Sequence, residues 1–204
     1  VLKSGGDFKP SHVQALKRQL EKHAPSATFS CFTDMKVEGV ECRPLKRKWP
    51  GWWSKMELFD PEVRGDILYM DLDTVLVGPL DDLTRVNSLA MLRNFYRDGK
   101  KLKEGLQSSV MFLPERHRTV AWDLFIQHPA WHMSLYRAGG DQRLLESLWL
   151  NTAARLQDLL PGQFVSWKVN CAKGVPPEAR VIVFHGKPRP WDVGQFLHLY
   201  RATA

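Results

Sequence analysis

The chain has 204 residues, a formal net charge of +7, 44% apolar residues and 25% charged residues. This is the make-up of an ordinary globular protein large enough to bury a core. It excludes a low-complexity or collagen-like chain, and no apolar run approaches the roughly 20 residues that span a bilayer. The length predicts one domain over residues 1–204, and Val1-Leu2-Lys3-Ser4-Gly5-Gly6 reads as the end of a strand whose first residues are missing. Cys31, Cys42 and Cys171 stand in no zinc-binding spacing. An odd number of cysteines, with no signal-peptide pattern ahead of them, predicts reduced and buried thiols in a cytoplasmic protein. Basic clusters at Arg43, Lys46, Arg47 and Lys48, and at Arg97, Lys100, Lys101 and Lys103, either attract anions or serve solubility. No nucleic-acid motif accompanies them.

In chain order, Val1 to Lys3 ends a strand, and residues 11–23 form a helix capped by Ser11 with Val13, Leu16 and Leu20 on one face. Residues 28–33 are β-rich, and a short strand follows near 40–42. Residues 53–59 predict a helix with Met56 and Phe59 inward. Residues 66–73 (DILYMDLD) make the strongest strand, whose unalternating apolar run implies burial on both faces. Residues 74–77 stay extended until Gly78-Pro79 breaks them. Strands at 89–92 and 109–113, helices at 118–127 and 142–149, and strands at 164–169 and 180–184 complete the pattern. Alternating strands and helices predict an α/β fold with a mainly parallel central sheet flanked by helices. Ligands of such sheets sit at the carboxyl ends of strands.

Asp71 and Asp73 stand where the strong strand ends. Paired hard carboxylates suit magnesium or manganese, and such ions bridge protein acids to substrate phosphates. The same pair also serves simply to cap a turn. Trp49, Trp52 and Trp53 cluster beside the basic stretch, where indole faces would form a platform for a sugar acceptor, pack in the core or belong to a lid.

Six segments, in order, resemble the GT-A glycosyltransferases, nearest to family 8, the glycogenin and bacterial galactosyltransferase group. They are Ser54-Lys55-Met56-Glu57-Leu58-Phe59, residues 64–75 around Asp71-Leu72-Asp73, Gly78-Pro79-Leu80-Asp81-Asp82-Leu83, Gln107-Ser108-Ser109, Gly140-Asp141-Gln142, and His185-Gly186-Lys187-Pro188-Arg189-Pro190-Trp191. The resemblance implies a GT-A fold and retaining transfer of a hexose from a nucleoside-diphosphate sugar, with UDP the family norm. The acceptor is left open: a glycan, a lipid-linked sugar or another molecule. It implies a manganese or magnesium ion held by Asp71, Asp73 and His185. It also implies donor contacts from Lys55, Asp71, Leu72, Gln107, Ser108, Gly186 and either Lys187 or Arg189, and a nucleoside pocket at Leu2, Ser4, Thr33 and Asp34. Asp141 would bind sugar hydroxyls, with Gln142 near the anomeric carbon; Asp141 also reads as a helix N-cap after Gly139-Gly140.

Two departures from the family pattern stand out. Its Asn-Ser-Gly is Gln107-Ser108-Ser109 here, and His185 is directly followed by Gly186 where the family inserts two residues. Two rivals remain. Residues 67–75 (ILYMDLDTV) also fit the phosphatase signature of the haloacid-dehalogenase type, with Asp71 as nucleophile and Asp73 as general acid. That reading needs a later acidic pair after an apolar strand, which the chain lacks. The other rival is a nucleotide-sugar-binding module without catalysis.

Overall fold

The computed structural model describes residues 1–95 and 105–201. The predicted basic cluster at Arg97, Lys100, Lys101 and Lys103 lies outside the described residues. The strands are β1 (Ser30–Thr33), β2 (Glu41–Pro44), β3 (Ile67–Met70), β4 (Thr74–Leu76), β5 (Ala90–Arg93), β6 (Leu106–Leu113), β7 (Ala154–Arg155), β8 (Phe164–Ser166) and β9 (Val181–Val183). The longer helices are α1 (Pro10–His23), α2 (Glu115–Gln127), α3 (Pro129–Leu135) and α4 (Gly140–Trp149). Two compact units divide the chain. One contains Val1–Pro44, Asp71–Arg85 and the chain from Leu160 onward; the other contains Leu45–Met70 and Val86–Leu159.

In the first unit, β1 pairs parallel with β2, and Leu2 adds a parallel bridge to Thr33. A three-stranded sheet runs β4-β9-β8, with β4 antiparallel and β8 parallel to β9. Helix α1 starts at Pro10, one residue before the prediction, because proline's fixed φ suits the first helical position. Its cap is Lys9, not Ser11: the Lys9 N–H donates to His12 Nδ1 at 3.1 Å. Val13, Leu16 and Leu20 are buried as their spacing predicts. Gln19 is buried among them because it satisfies main-chain groups: its Oε1 accepts the Leu76 N–H of β4 at 2.9 Å, and its Nε2 donates to Ala15 O. Below the sheet, Val75, Val165, Ile182, Phe184 and Phe196 form a core. Cys31 and Cys171 are buried, but Cys42 is exposed, so the expectation of three buried thiols fails at the open face of β2.

In the second unit the sheet order is β3-β6-β5-β7. β6 is antiparallel to both neighbours, and β5 is parallel to β7. The α/β class stands, but the sheets are mixed and not mainly parallel. The strand predicted over 66–73 ends at Met70, and the turn at 71–73 separates it from β4, which takes up the predicted extended segment 74–77 in another sheet. β3 lies at a sheet edge with Leu68 36% exposed, which corrects the expectation of burial on both faces. A run of four apolar residues does not encode which sheet, or which position in it, will take the strand.

The helix predicted over 53–59 is present as Gly51–Phe59, and it is a 3-10 helix. Side chains three apart eclipse in this geometry, so Trp53, Met56 and Phe59 make one buried column. Trp53 stacks on Phe125 of α2 with ring centroids 5.4 Å apart, and Trp49 meets the same ring edge-on at 4.8 Å. Two of the three clustered tryptophans are therefore core, which corrects the reading of all three as a platform.

Arg118 of α2, 2% exposed, ties this unit together. It donates to the main-chain carbonyls of Leu58 (3.1 Å), Val63 (2.7 Å) and Gly65 (2.6 Å), closing the loop that leads into β3. Replacing Arg118 by Leu strips donors from three carbonyls at once. At the usual cost of unsatisfied buried groups, the loss is about 3 kcal/mol or more. Urea unfolding of Arg118→Leu should show a lowered midpoint with unchanged slope; a difference below about 1 kcal/mol would contradict this role.

Candidate active site: an acidic turn and a buried Lys–Asp–Ser cluster

Between β3 and β4 the chain turns through Asp71-Leu72-Asp73, closed by Thr74 N–H donating to Asp71 O at 3.1 Å. Leu72 and Asp73 are buried at 5% and 4% exposure. The β4–β9 ladder extends past its last pair, with Phe184 N–H donating to Asp73 O at 3.2 Å. This extra rung brings the acidic turn level with Phe184-His185, 112 positions later in the chain.

The main chain is thus brought together, but the side chains hold other partners. The Asp73 carboxylate accepts from the Arg189 guanidinium in a short ion pair. His185 Nε2 lies 2.8 Å from Ser166 Oγ, and Lys168 Nζ donates to His185 O at 2.8 Å. Among the described residues, no three of His, Cys, Asp and Glu stand together as a metal-ligand set. Lys187 and Gly186 are exposed, and Gly186 holds φ +78°, a conformation that favours glycine. Of the two basic candidates, Arg189 is the one joined to the acidic turn.

Burial and then the neighbouring Asp71 charge push the Asp73 carboxyl up to about 7, although Arg189 pulls the other way. Burial and Lys168 lower the His185 imidazole to about 4. It is therefore neutral at ordinary pH, the form in which histidine ligates metals.

Arg189 is itself braced by an aromatic cluster that runs from Phe8 to His12 of α1. Its guanidinium lies 4.9 Å over the Phe8 ring, Phe8 meets Trp191 edge-on at 5.8 Å, and Trp191 stacks on His12 at 3.7 Å. Nothing in the sequence signalled Phe8, His12 or Ser166 as supports for this site, because each acts through a long-range contact.

The four predicted nucleoside residues meet at one end of β1. Leu2 is fully buried and its N–H donates to Phe32 O at 2.8 Å. Thr33 Oγ1 accepts the Met35 N–H at 2.9 Å. Asp34 accepts from Ser4 N (2.8 Å) and Ser4 Oγ (2.7 Å) and pairs with Lys3. Slight desolvation raises the Asp34 carboxyl, but the hydrogen bonds from Lys3 and Ser4 prevail and hold it down at about 2.

A separate polar cluster lies inside the second unit. Lys55, on the 3-10 helix, pairs with Asp141 Oδ2 at 3.0 Å and donates to Ser108 Oγ at 3.2 Å. Ser108 Oγ donates to Asp141 Oδ2 at 2.9 Å, and Lys55 Nζ sits 5.1 Å from the Tyr69 ring centroid. Lys55, Ser108 and Asp141 are 7%, 3% and 4% exposed. Gly139, not Asp141, caps α4, so the capping alternative for Asp141 is corrected: its carboxylate points to Lys55. Gln142 is half-buried one residue on. Gln107 is buried at 6% exposure, and its Oε1 has no hydrogen-bond partner among the described residues.

No family model matches the chain, and no curated protein matches it significantly in sequence. Solved structures do match. The glycosyltransferase GlyE of Streptococcus pneumoniae TIGR4 is 16% identical with a TM-score of 0.63, over 93% of this chain and 56% of that one. The galactosyltransferase LgtC, solved with donor and acceptor sugar analogs, is 13% identical with a TM-score of 0.65, over 94% of this chain and 91% of that one. The chain spans little more than half the length of GlyE. At these identities the likeness is one of fold, and the fold is GT-A.

The His12 environment predicts acid sensitivity. Burial, then Lys9 and Arg189, lower its imidazole from 6.5 to about 4. The unfolded chain therefore takes up a proton more readily between those values. This contribution to stability is complete above about pH 6.5 and is lost as the pH falls towards 4, on the order of 3 kcal/mol in all. His12→Gln keeps an acceptor for the Lys9 N–H at a position where glutamine caps well. Its unfolding free energy between pH 7 and 4 should fall less than the wild type's; parallel curves would refute the assignment.

Proposed function

We propose that the chain is a glycosyltransferase that moves a hexose from a nucleoside-diphosphate sugar, UDP-sugar by the family norm, to an acceptor, with retention of anomeric configuration and with a divalent cation. The observation that carries this reading is the acidic turn Asp71-Leu72-Asp73 at a strand end of a GT-A fold, with Asp73 buried and its main chain bonded to Phe184 beside His185. Two carboxylates and a neutral imidazole are a donor set that suits manganese or magnesium. Asp71, Asp73 and His185 would hold the ion, which supplies Lewis-acid neutralisation of the departing diphosphate.

The rest falls to the chain's own side chains. Arg189 exchanges its Asp73 contact for a phosphate oxygen, which a guanidinium can grip with two parallel hydrogen bonds. Gly186 leaves room beside it, and exposed Lys187 adds a point charge. Asp34 and Ser4, with Thr33 and Leu2 behind them, take the nucleoside. Asp141, held by Lys55 and Ser108, accepts from sugar hydroxyls, Gln142 faces the reacting carbon, and Gln107 offers its unpartnered carbonyl oxygen. That same unpartnered group, at a position where the family has asparagine, favours a second reading in which the chain binds a nucleotide sugar without transferring it. The phosphatase alternative loses its ground in the fold, since its motif belongs on a first strand.

The decisive measurement is thermal stabilisation by UDP with and without manganese. At a hundredfold excess over the dissociation constant, about 2.7 kcal/mol of stabilisation is expected, and only with the metal present. Asp71→Asn and Asp73→Ala should each abolish the metal-dependent part. Slow manganese-dependent hydrolysis of a UDP-hexose separates the enzyme from the mere binder. Metal-independent stabilisation by UDP, or brisk turnover of p-nitrophenyl phosphate, would overturn the reading.

A further inference from the structure

Trp52 has the same fractional exposure as Trp131, 58%, and a single exposed indole means nothing by itself. What sets Trp52 apart is its seat. A Cβ placed on Gly140 would lie 2.1 Å from Trp52 Nε1 and 2.4 Å from its Cδ1, so one edge of the indole rests directly on the glycine backbone. Gly140 also holds φ +59°, so any other residue there meets both strain and collision. Among the described residues, no other ring packs on Trp52. Trp131, by contrast, meets only the edge of its neighbour His132.

The seat is in register with the buried polar cluster. Trp52 and Lys55 are three apart on a 3-10 helix, where such side chains eclipse. Gly140 and Asp141 are consecutive at the start of α4. The two elements therefore meet in two successive contacts, Trp52 on Gly140 and Lys55 on Asp141. An open aromatic face stands immediately beside a carboxylate, an ammonium and a hydroxyl. Apolar face beside convergent polar groups is the chemistry that recognises a pyranose: ring C–H bonds lie on the indole and hydroxyls turn to the charges.

We propose that Trp52 is a stacking platform for a hexopyranoside ring, seated by Gly140 and aligned with the Lys55–Asp141–Ser108 cluster. The inference deepens the transferase reading and rests on it for the role of Asp141. The ring belongs either to the donor or to a saccharide acceptor.

The test is calorimetric titration of the full chain and of Trp52→Ala, Trp52→Phe and Trp131→Ala. The probes are UDP, UDP-glucose and UDP-galactose with manganese, and lactose and cellobiose with and without UDP. The wild type should bind at least one hexose-bearing probe. Trp52→Ala should weaken that binding about tenfold, Trp52→Phe less than threefold, and Trp131→Ala not at all. Affinity for UDP, which carries no hexose, shows that each variant is folded. A loss confined to UDP-hexoses places the ring on the donor; a loss confined to the free disaccharides places it on the acceptor. Equal binding by Trp52→Ala and the wild type, or no saccharide binding by the wild type, overturns the proposal. Saccharide binding through Trp52 without any UDP binding would instead sink the transferase reading.

Discussion

A carboxylate that is only 4% exposed must find positive charge, and Asp73 finds one guanidinium while Asp71 adds a second negative charge beside it. The Arg189 ion pair and the rung from Phe184 to Asp73 hold this turn against residues far along the chain. Arg189 is braced in turn by Phe8, which meets Trp191, and Trp191 stacks on His12. Burying a carboxylate costs more than one ion pair returns, so Asp73 is held in place at a cost in stability.

The second unit solves a similar problem differently. Lys55 and Asp141 are opposite charges at 3.0 Å, and Ser108 hydrogen-bonds to both.

Local backbone geometry decides which side chains are available for this work. The 3.0-residue period of Gly51–Phe59 sends Trp53, Met56 and Phe59 into the core and leaves Trp52 above Lys55. An α-helix over the same residues would rotate each successive contact by a further fraction of a turn and break that register. Gly140 completes it by removing the side chain that would otherwise lift the indole away.

Read alone, the chain determines its α/β class and the α1 face at Val13, Leu16 and Leu20, and it singles out Asp71, Asp73, Asp141 and His185 as candidates, because periodicity and motif order are local properties. Tertiary structure alone decides that the apolar strand ends at Met70 and the chain resumes in another sheet at Thr74, that Trp49 and Trp53 are core while Trp52 is open, and that Asp141 faces Lys55 and does not cap its helix. It alone places Arg189, and not Lys187, on the acidic turn. These outcomes depend on which groups can satisfy a buried charge or an unpaired main-chain atom. That is settled by partners tens of residues away, which no local pattern records.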